Sequence, residues 1–392
     1  MERWIVPARQ KIPIATDFVR WAIKESGQSV QEIASRLKGV DEETLKAWLA
    51  GEDAPGVTKA KDLARVLRRP VASLMIPQAP DTTPLQRVAF RSPSGAQERE
   101  IFPQERVQLR EASRLQREVS WAVKELYGRK NDIGGASIAD DPEQKAEEFR
   151  ALLSVSVVEQ AAWPRASIAF KGWREAIEAL GVIVFLAPLG KEGARGFSIG
   201  DDFAPLIAVS THWNVSARIF SLFHEIAHLL TDTSSICIGV GAGAYKPTQQ
   251  VSVERWCERF SAAVLAPWSD VERFLLERCK WKRGSKISDL RIPRRIASRY
   301  KISLRAAVIR LIQKGLSDWD VYEQIPSHTD DKRPGGGGGG RDRVEIRRAS
   351  HGMLPMRVLT DAIDESLMSR AEVLGLLRLR DGELDRIRDS GD

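Results

Sequence analysis

Two histidines four residues apart, with a glutamate after the first, are the residues of this chain best placed to do chemistry: His224-Glu225-Ile226-Ala227-His228. They sit in an apolar stretch, with Phe220, Leu222 and Phe223 before them and Leu229 and Leu230 after. On a helix, positions i and i+4 project from one face, so both imidazoles can reach a single metal ion. Glu225 is then placed to take a proton from water activated by that ion. Zinc lowers the pKa of such water to roughly 7, which makes a nucleophile available at neutral pH. The whole chain has five histidines, at 212, 224, 228, 328 and 351, so this spacing is rare by chance.

A catalytic zinc needs a third protein ligand and leaves its fourth position to water. Two glutamates on a following helix, residues 252–265, are candidates. Glu254 comes 26 residues after His228, and Glu258 lies one turn further on the same face. The Gly- and Ser-containing stretch 231–250 is long enough to return that helix alongside the first. His212, beside Trp213, reads as structural or surface, with a substrate hydrogen bond as the other reading. His328 and His351 fall in polar segments read as mobile and irrelevant to the metal. Of the cysteines at 237, 257 and 279, burial as small apolar residues is the expected fate. Cys257 is the one close enough in sequence to the site for a ligand or redox role.

The elements that would carry these residues follow from periodicity. Helix ending at Gly181, short β-rich runs at 182–186, 195–199 and 205–209, then the helix of the His pair, make an α+β unit. Upstream, apolar positions 30, 33, 34 and 37, a turn at Lys38-Gly39-Val40, and Asp41 as N-cap of residues 42–50 describe two short helices. A further helix at 58–67 and the stretch 71–76 complete a compact N-terminal group. Residues 78–105 are rich in Pro, Ser, Thr and Gln and read as a connector. The glycine run 335–340 is read as a flexible linker before a final helical segment.

Composition is that of an ordinary folded protein, 43% hydrophobic and 29% charged. Apolar runs are too short for a bilayer span, and no signal-peptide core follows the N-terminus. An odd cysteine count without such a signal suits a reducing compartment, so a cytoplasmic location is expected. The net charge of +7 permits nucleic-acid binding, and the positive charge reads as spread along the chain.

Two resemblances sharpen these expectations. Ser29-Val30-Gln31-Glu32-Ile33-Ala34 with Leu45-Lys46-Ala47-Trp48-Leu49-Ala50-Gly51-Glu52 resembles an XRE-type helix-turn-helix domain. Its presumed recognition helix opens Asp41-Glu42-Glu43, which disfavours phosphates, so a protein-docking or dimerising module is the competing reading. Lys46, Lys59 and Lys61 are its candidate DNA contacts. Residues 205–209, 220–230 and 254–267 resemble the ImmA/IrrE family of metallopeptidases, over about residues 165–320. That resemblance implies a gluzincin-like site with Zn2+ held by His224, His228 and Glu254, and Glu225 as the catalytic base. Cys257 and Glu258 stand where the family usually has alanine and asparagine.

The expected fold is therefore α+β and predominantly helical, with a five-helix N-terminal domain and a zincin-like peptidase domain bearing a small sheet. The expected divisions are 1–79 helix-turn-helix, 80–141 connector with helix, 142–328 peptidase, 329–341 linker and 342–392 C-terminal helices. The resemblance implies an endopeptidase acting on an intracellular regulatory protein, such as a repressor or antitoxin, in stress or phage and toxin-antitoxin control. The alternative is a transcriptional regulator or antitoxin that grips a partner toxin without cutting it. Expected partners are a protein substrate and double-stranded DNA, with no membrane and with room for a homodimer.

Overall fold

The computed structural model describes residues 11–78, 89–90, 102–190, 193–232, 247–326, 329 and 342–388. The chain divides into two compact units, residues 1–86 with 99–110, and residues 87–98 with 111–392. The described residues are mostly helical, with one small sheet.

In the first unit the helices are α1 (Thr16–Ser26), α2 (Val30–Ser35), α3 (Glu42–Ala50) and α4 (Val57–Leu67), closed by a 3-10 turn at Val71–Met75. The fifth expected helical element is that turn. Ser29 caps α2 through a reciprocal pair of hydrogen bonds with Glu32, and Asp41 caps α3 by accepting from the Thr44 amide. Each satisfies backbone donors that a helix start leaves unpaired. Phe18, Ile33, Leu45, Leu63 and Leu67 close a core of their own.

The second unit holds the sheet: β1 (Ala89–Phe90), β2 (Ile183–Ala187), β3 (Gly196–Ile199) and β4 (Leu206–Ser210), in spatial order β1-β3-β4-β2. β2 runs parallel to β4 with Ile183 opposite Leu206, and β3 runs antiparallel with Phe197 opposite Ala208. Nearly every side chain of these three strands is buried, so they read as continuous apolar runs rather than alternating ones. Before the sheet come α5 (Pro103–Tyr127), whose residues up to Arg110 fall in the first unit, and then α6 (Pro142–Leu153), α7 (Val157–Ala162) and α8 (Ala166–Ala179). After it come α9 (Val215–Leu230), α10 (Pro247–Leu265), α11 (Trp268–Arg278), α12 (Arg291–Tyr300), α13 (Leu304–Gln313) and α14 (Trp319–Glu323).

α9 lies across β3 and β4 and packs against α8 and α10. The fully buried Trp173 of α8 anchors that contact, meeting Phe223 edge-on at 5.0 Å and Trp163 at 5.1 Å. Edge-to-face geometry places ring hydrogens on the negative face of the neighbour and adds to the burial of large rings. α10 is fixed at its C-terminal end by side chains from three other helices. Its terminal carbonyls lack intrahelical partners, and Arg150 donates to Val264 O, Gln160 to Leu265 O and Arg310 to Ala266 O. Arg310 is itself fully buried and forms a two-pronged ion pair with Glu143, at 2.5 and 2.7 Å. Pro267 prevents the helix from running on.

The C-terminal helices α15 (Arg343–His351), α16 (Met353–Asp364), α17 (Arg370–Leu377) and α18 (Asp381–Arg388) belong to the same unit. α15 packs along β2, and α16 packs on α8. Gly352 joins them at φ +86°, and a Cβ there would fall onto the Glu178 carboxylate. That carboxylate accepts from the Met353 and Leu354 amides at the start of α16, where a negative group is favoured. His351 is therefore not in a mobile polar segment: it ends α15, is 6% exposed, and meets Phe185 of β2 edge-on. The reading failed because the burial comes from a strand 166 positions earlier, which no local pattern announces. Cys237, His328 and residues 335–340 lie outside the described residues.

Candidate metal centre

α9 begins at Asn214, whose side chain accepts from the Ala217 amide, and Arg218 braces the preceding turn by donating to Trp213 O and Thr211 O. Fourteen residues of unbroken helix then bring His224, Glu225 and His228 to the helix's middle and last turn. All three are buried, at 0, 1 and 2% exposure. One turn of helix separates the imidazoles, and their Nε2 atoms face each other at 3.2 Å.

Glu254 arrives from α10. Its Oε2 lies 3.1 Å from His224 Nε2 and its Oε1 3.4 Å from His228 Nε2. Three ligand atoms, two nitrogens and one oxygen, thus lie within 4.8 Å of one another. Two imidazole nitrogens aimed at each other and at a carboxylate make a donor set that fits a metal ion. The Glu254 side chain keeps 24% exposure, so the cluster is not sealed. Glu258 is exposed on the same helix and is not a member of the cluster.

The electrostatics agree with this arrangement. Burial alone would raise the Glu254 carboxyl, but hydrogen bonds and charge from His224 and His228 outweigh it and hold the group far below the usual carboxylate range. Burial alone would lower His228, yet Cys257 and Glu254 lift it well above its ordinary value. The His228 ring is held on both sides: Nε2 faces Glu254, and Nδ1 lies 3.8 Å from the buried Cys257 thiol. Burial raises that thiol, with His228 opposing. Cys257 is thus buried, as expected of a small apolar residue, and also touches a cluster histidine through the nitrogen turned away from Glu254.

Glu225 turns toward β3. A Cβ added to Gly196 would stand 2.8 Å from Glu225 Oε1, 3.0 Å from its Cγ and 2.7 Å from Ala208 O. Glycine at this strand position is what lets the carboxylate approach the sheet. Sequence reasoning passed over Gly196; a glycine inside an apolar strand is the available signal, since it marks close approach of another group.

The other candidates are dispersed. His212 is partly buried, packs edge-on against Trp213 and is not in the cluster. The three lysines lie in the first unit. Lys46 pairs with Glu42 at 2.7 Å within α3, Lys59 donates to Lys38 O, and Lys61 is exposed on α4.

Residues 177–311 match the family model of M78 peptidases, described as the IrrE N-terminal-like domain. The match takes in β2 to β4 and α9 to α12, and with them His224, Glu225, His228, Glu254 and Gly196. No curated protein matches the chain. Among the described residues, no helix is long and apolar enough to cross a membrane.

Proposed function

We propose that the chain is a zinc-dependent endopeptidase that cuts a specific regulatory protein such as a repressor or antitoxin. The carrying observation is the convergence of His224, His228 and Glu254 beside a buried Glu225 on the same helix as the imidazoles. The M78 peptidase match over the same residues supports a peptidase role. His224, His228 and Glu254 would hold the ion, a two-nitrogen, one-oxygen set of the kind used by catalytic zinc. Zinc held there would supply Lewis acidity, polarising the scissile carbonyl and making water a usable nucleophile near neutral pH.

The chain's own groups do the rest. Glu225 accepts a proton from the attacking water at its carboxylate and delivers it to the leaving amine nitrogen. Its position against Gly196 limits where that carboxylate can sit, which favours one orientation of transfer. Cys257 and the β3–β4 face keep the inner side of the cluster free of bulk water, which strengthens charge interactions there. The N-terminal helices would recruit the enzyme to DNA or to a DNA-bound substrate. Of the three lysines, Lys46 pairs with Glu42 and Lys59 donates to the Lys38 carbonyl, so Lys61, exposed on α4, is the one offered to a phosphate.

The test is a trap. A Glu225→Ala chain is used to capture partners, which are identified by mass spectrometry. The captured protein is then incubated with wild type, with wild type plus EDTA, and with Glu225→Ala. Cleavage is expected with wild type alone. Processing by Glu225→Ala would remove the catalytic assignment, and capture without cleavage by any form would favour a binding regulator.

A further inference from the structure

The positive charge is not evenly spread. Between Arg278 and Arg305 eleven side chains are Lys or Arg and one, Asp289, is acidic. This is the least balanced stretch of comparable length in the peptidase-matched region, and it coincides with α12 and its approaches. On α12 the apolar side is buried through Pro293 and Ile296, while Arg294, Arg295 and Ser298 are exposed.

These outward residues line an open groove of about 440 Å³ between the end of α7, α11 and α12. Arg294, Arg295, Arg299 and Lys301 contribute to its wall, and among the described residues no carboxylate does. The guanidinium of Arg299 is shared with Asp270 at 2.9 Å, so Arg294, Arg295 and Lys301 carry the net charge. Arg295 and Arg299 stand over the Phe274 ring at 5.7 and 5.0 Å, which holds both guanidiniums in place. Lys301 is tied to the Ser298 carbonyl. Burial and the neighbouring Arg299 charge press it below its ordinary value, which marks a crowded positive site.

We propose that this face of α12 docks the phosphodiester backbone of a nucleic-acid duplex. The cations run along about 10 Å of helix, which suits an extended polyanion better than one small anion. Among the described residues that line the groove, no large apolar side chain is exposed for a membrane, and the aromatic ring, Phe274, is already covered by arginines. A protein partner would want a buried apolar or aromatic anchor, and the groove has none free. α13, the helix after the three-residue turn, is mostly turned into the core through Ala306, Ala307, Val308 and Leu311. It cannot enter a groove to read bases, so the contact is to phosphates and indifferent to sequence. This proposal does not rest on the metal site, and it concerns a surface other than Lys46, Lys59 and Lys61.

The experiment is fluorescence anisotropy of two unrelated labelled DNA duplexes with the full chain, from 50 to 200 mM salt. Three phosphate contacts give a log–log salt slope near −2.7, or about fortyfold loss of affinity across that range. Arg294→Glu with Arg295→Glu should reduce the size of the slope by about 1.8 for both duplexes. Arg294→Gln with Arg295→Gln, which removes the charges without reversing them, should shift the slope equally. Circular dichroism and bound metal should stay unchanged, because both side chains are exposed. A slope unaltered in both double variants overturns the proposal, as does binding lost only in a Lys46→Glu, Lys59→Glu, Lys61→Glu chain. Preference for polyglutamate or phosphatidylserine vesicles over duplex also overturns it.

Discussion

Replacing Gly196 by alanine puts the packing around Glu225 to a quantitative test. The added methyl would lie 2.8 Å from Glu225 Oε1, 3.0 Å from its Cγ and 2.7 Å from the Ala208 carbonyl. Ordinary contact begins at 3.4 Å, so the carboxylate must retreat by about 0.6 Å and the backbone oxygen by about 0.7 Å. Overpacking a buried site by one methyl costs about 1–3 kcal/mol. Two of the three contacts are to Glu225, so truncating that residue should relieve much of the cost. Gly196→Ala is therefore expected to cost about 2 kcal/mol in the wild-type background and about 1 kcal/mol beside Glu225→Ala, a coupling of about 1 kcal/mol. Urea unfolding of the four proteins in EDTA measures the cycle without the contribution of bound metal. Equal costs in the two backgrounds, or a Gly196→Ala protein as stable as wild type, would refute the close packing of Glu225 on β3.

Other outcomes follow from the same contacts. Glu254→Gln keeps the side-chain volume and removes a charged ligand; since outer partners of a metal site are worth about 10–100-fold, losing this one should weaken zinc by at least about 100-fold in a chelator competition. Arg310→Met leaves the Ala266 carbonyl unmatched and Glu143 with Lys314 as its remaining partner, and should cost about 3 kcal/mol in a urea titration. Burial would raise the Glu143 carboxyl, but Arg310 and Lys314 hold it below its ordinary 4.5. Its share of stability is thus full above pH 4.5 and lost as pH falls through the lowered value, so the gap between wild type and Glu143→Gln should close in acid. His351 is pushed down to about 4 by burial from an ordinary 6.5. The unfolded chain therefore binds its proton first, and about 3 kcal/mol is lost between pH 6.5 and 4. His351→Asn should lack that slope, as read from unfolding midpoints across the range.

Much of the site was legible because its first part is local. A helix repeats every 3.6 residues, so a His pair at 224 and 228 shares a face wherever the helix lies. The strands near 183–187, 196–199 and 206–210 and the cap at Asp41 follow from equally short-range patterns. Residues 30–37 and 42–50 could likewise be read as helices from spacing alone. Gly196 escaped notice because its meaning depends on a side chain 29 positions later on another element. The concentration of cations on α12 was hidden by an average over the whole chain.

By itself, then, the order of residues specified the paired imidazoles, the glutamate between them and the helical character of the chain. Folding decided that Glu254 and not Glu258 joins the imidazoles, that the Cys257 thiol lies against His228, and that α15 packs along β2. Those outcomes depend on how separate helices lie against one another. Arg150, Gln160 and Arg310 set that for α10 by meeting its last carbonyls from three different places in the chain. Contacts of this range arise from packing and from satisfying buried polar groups, neither of which leaves a periodic trace in the sequence.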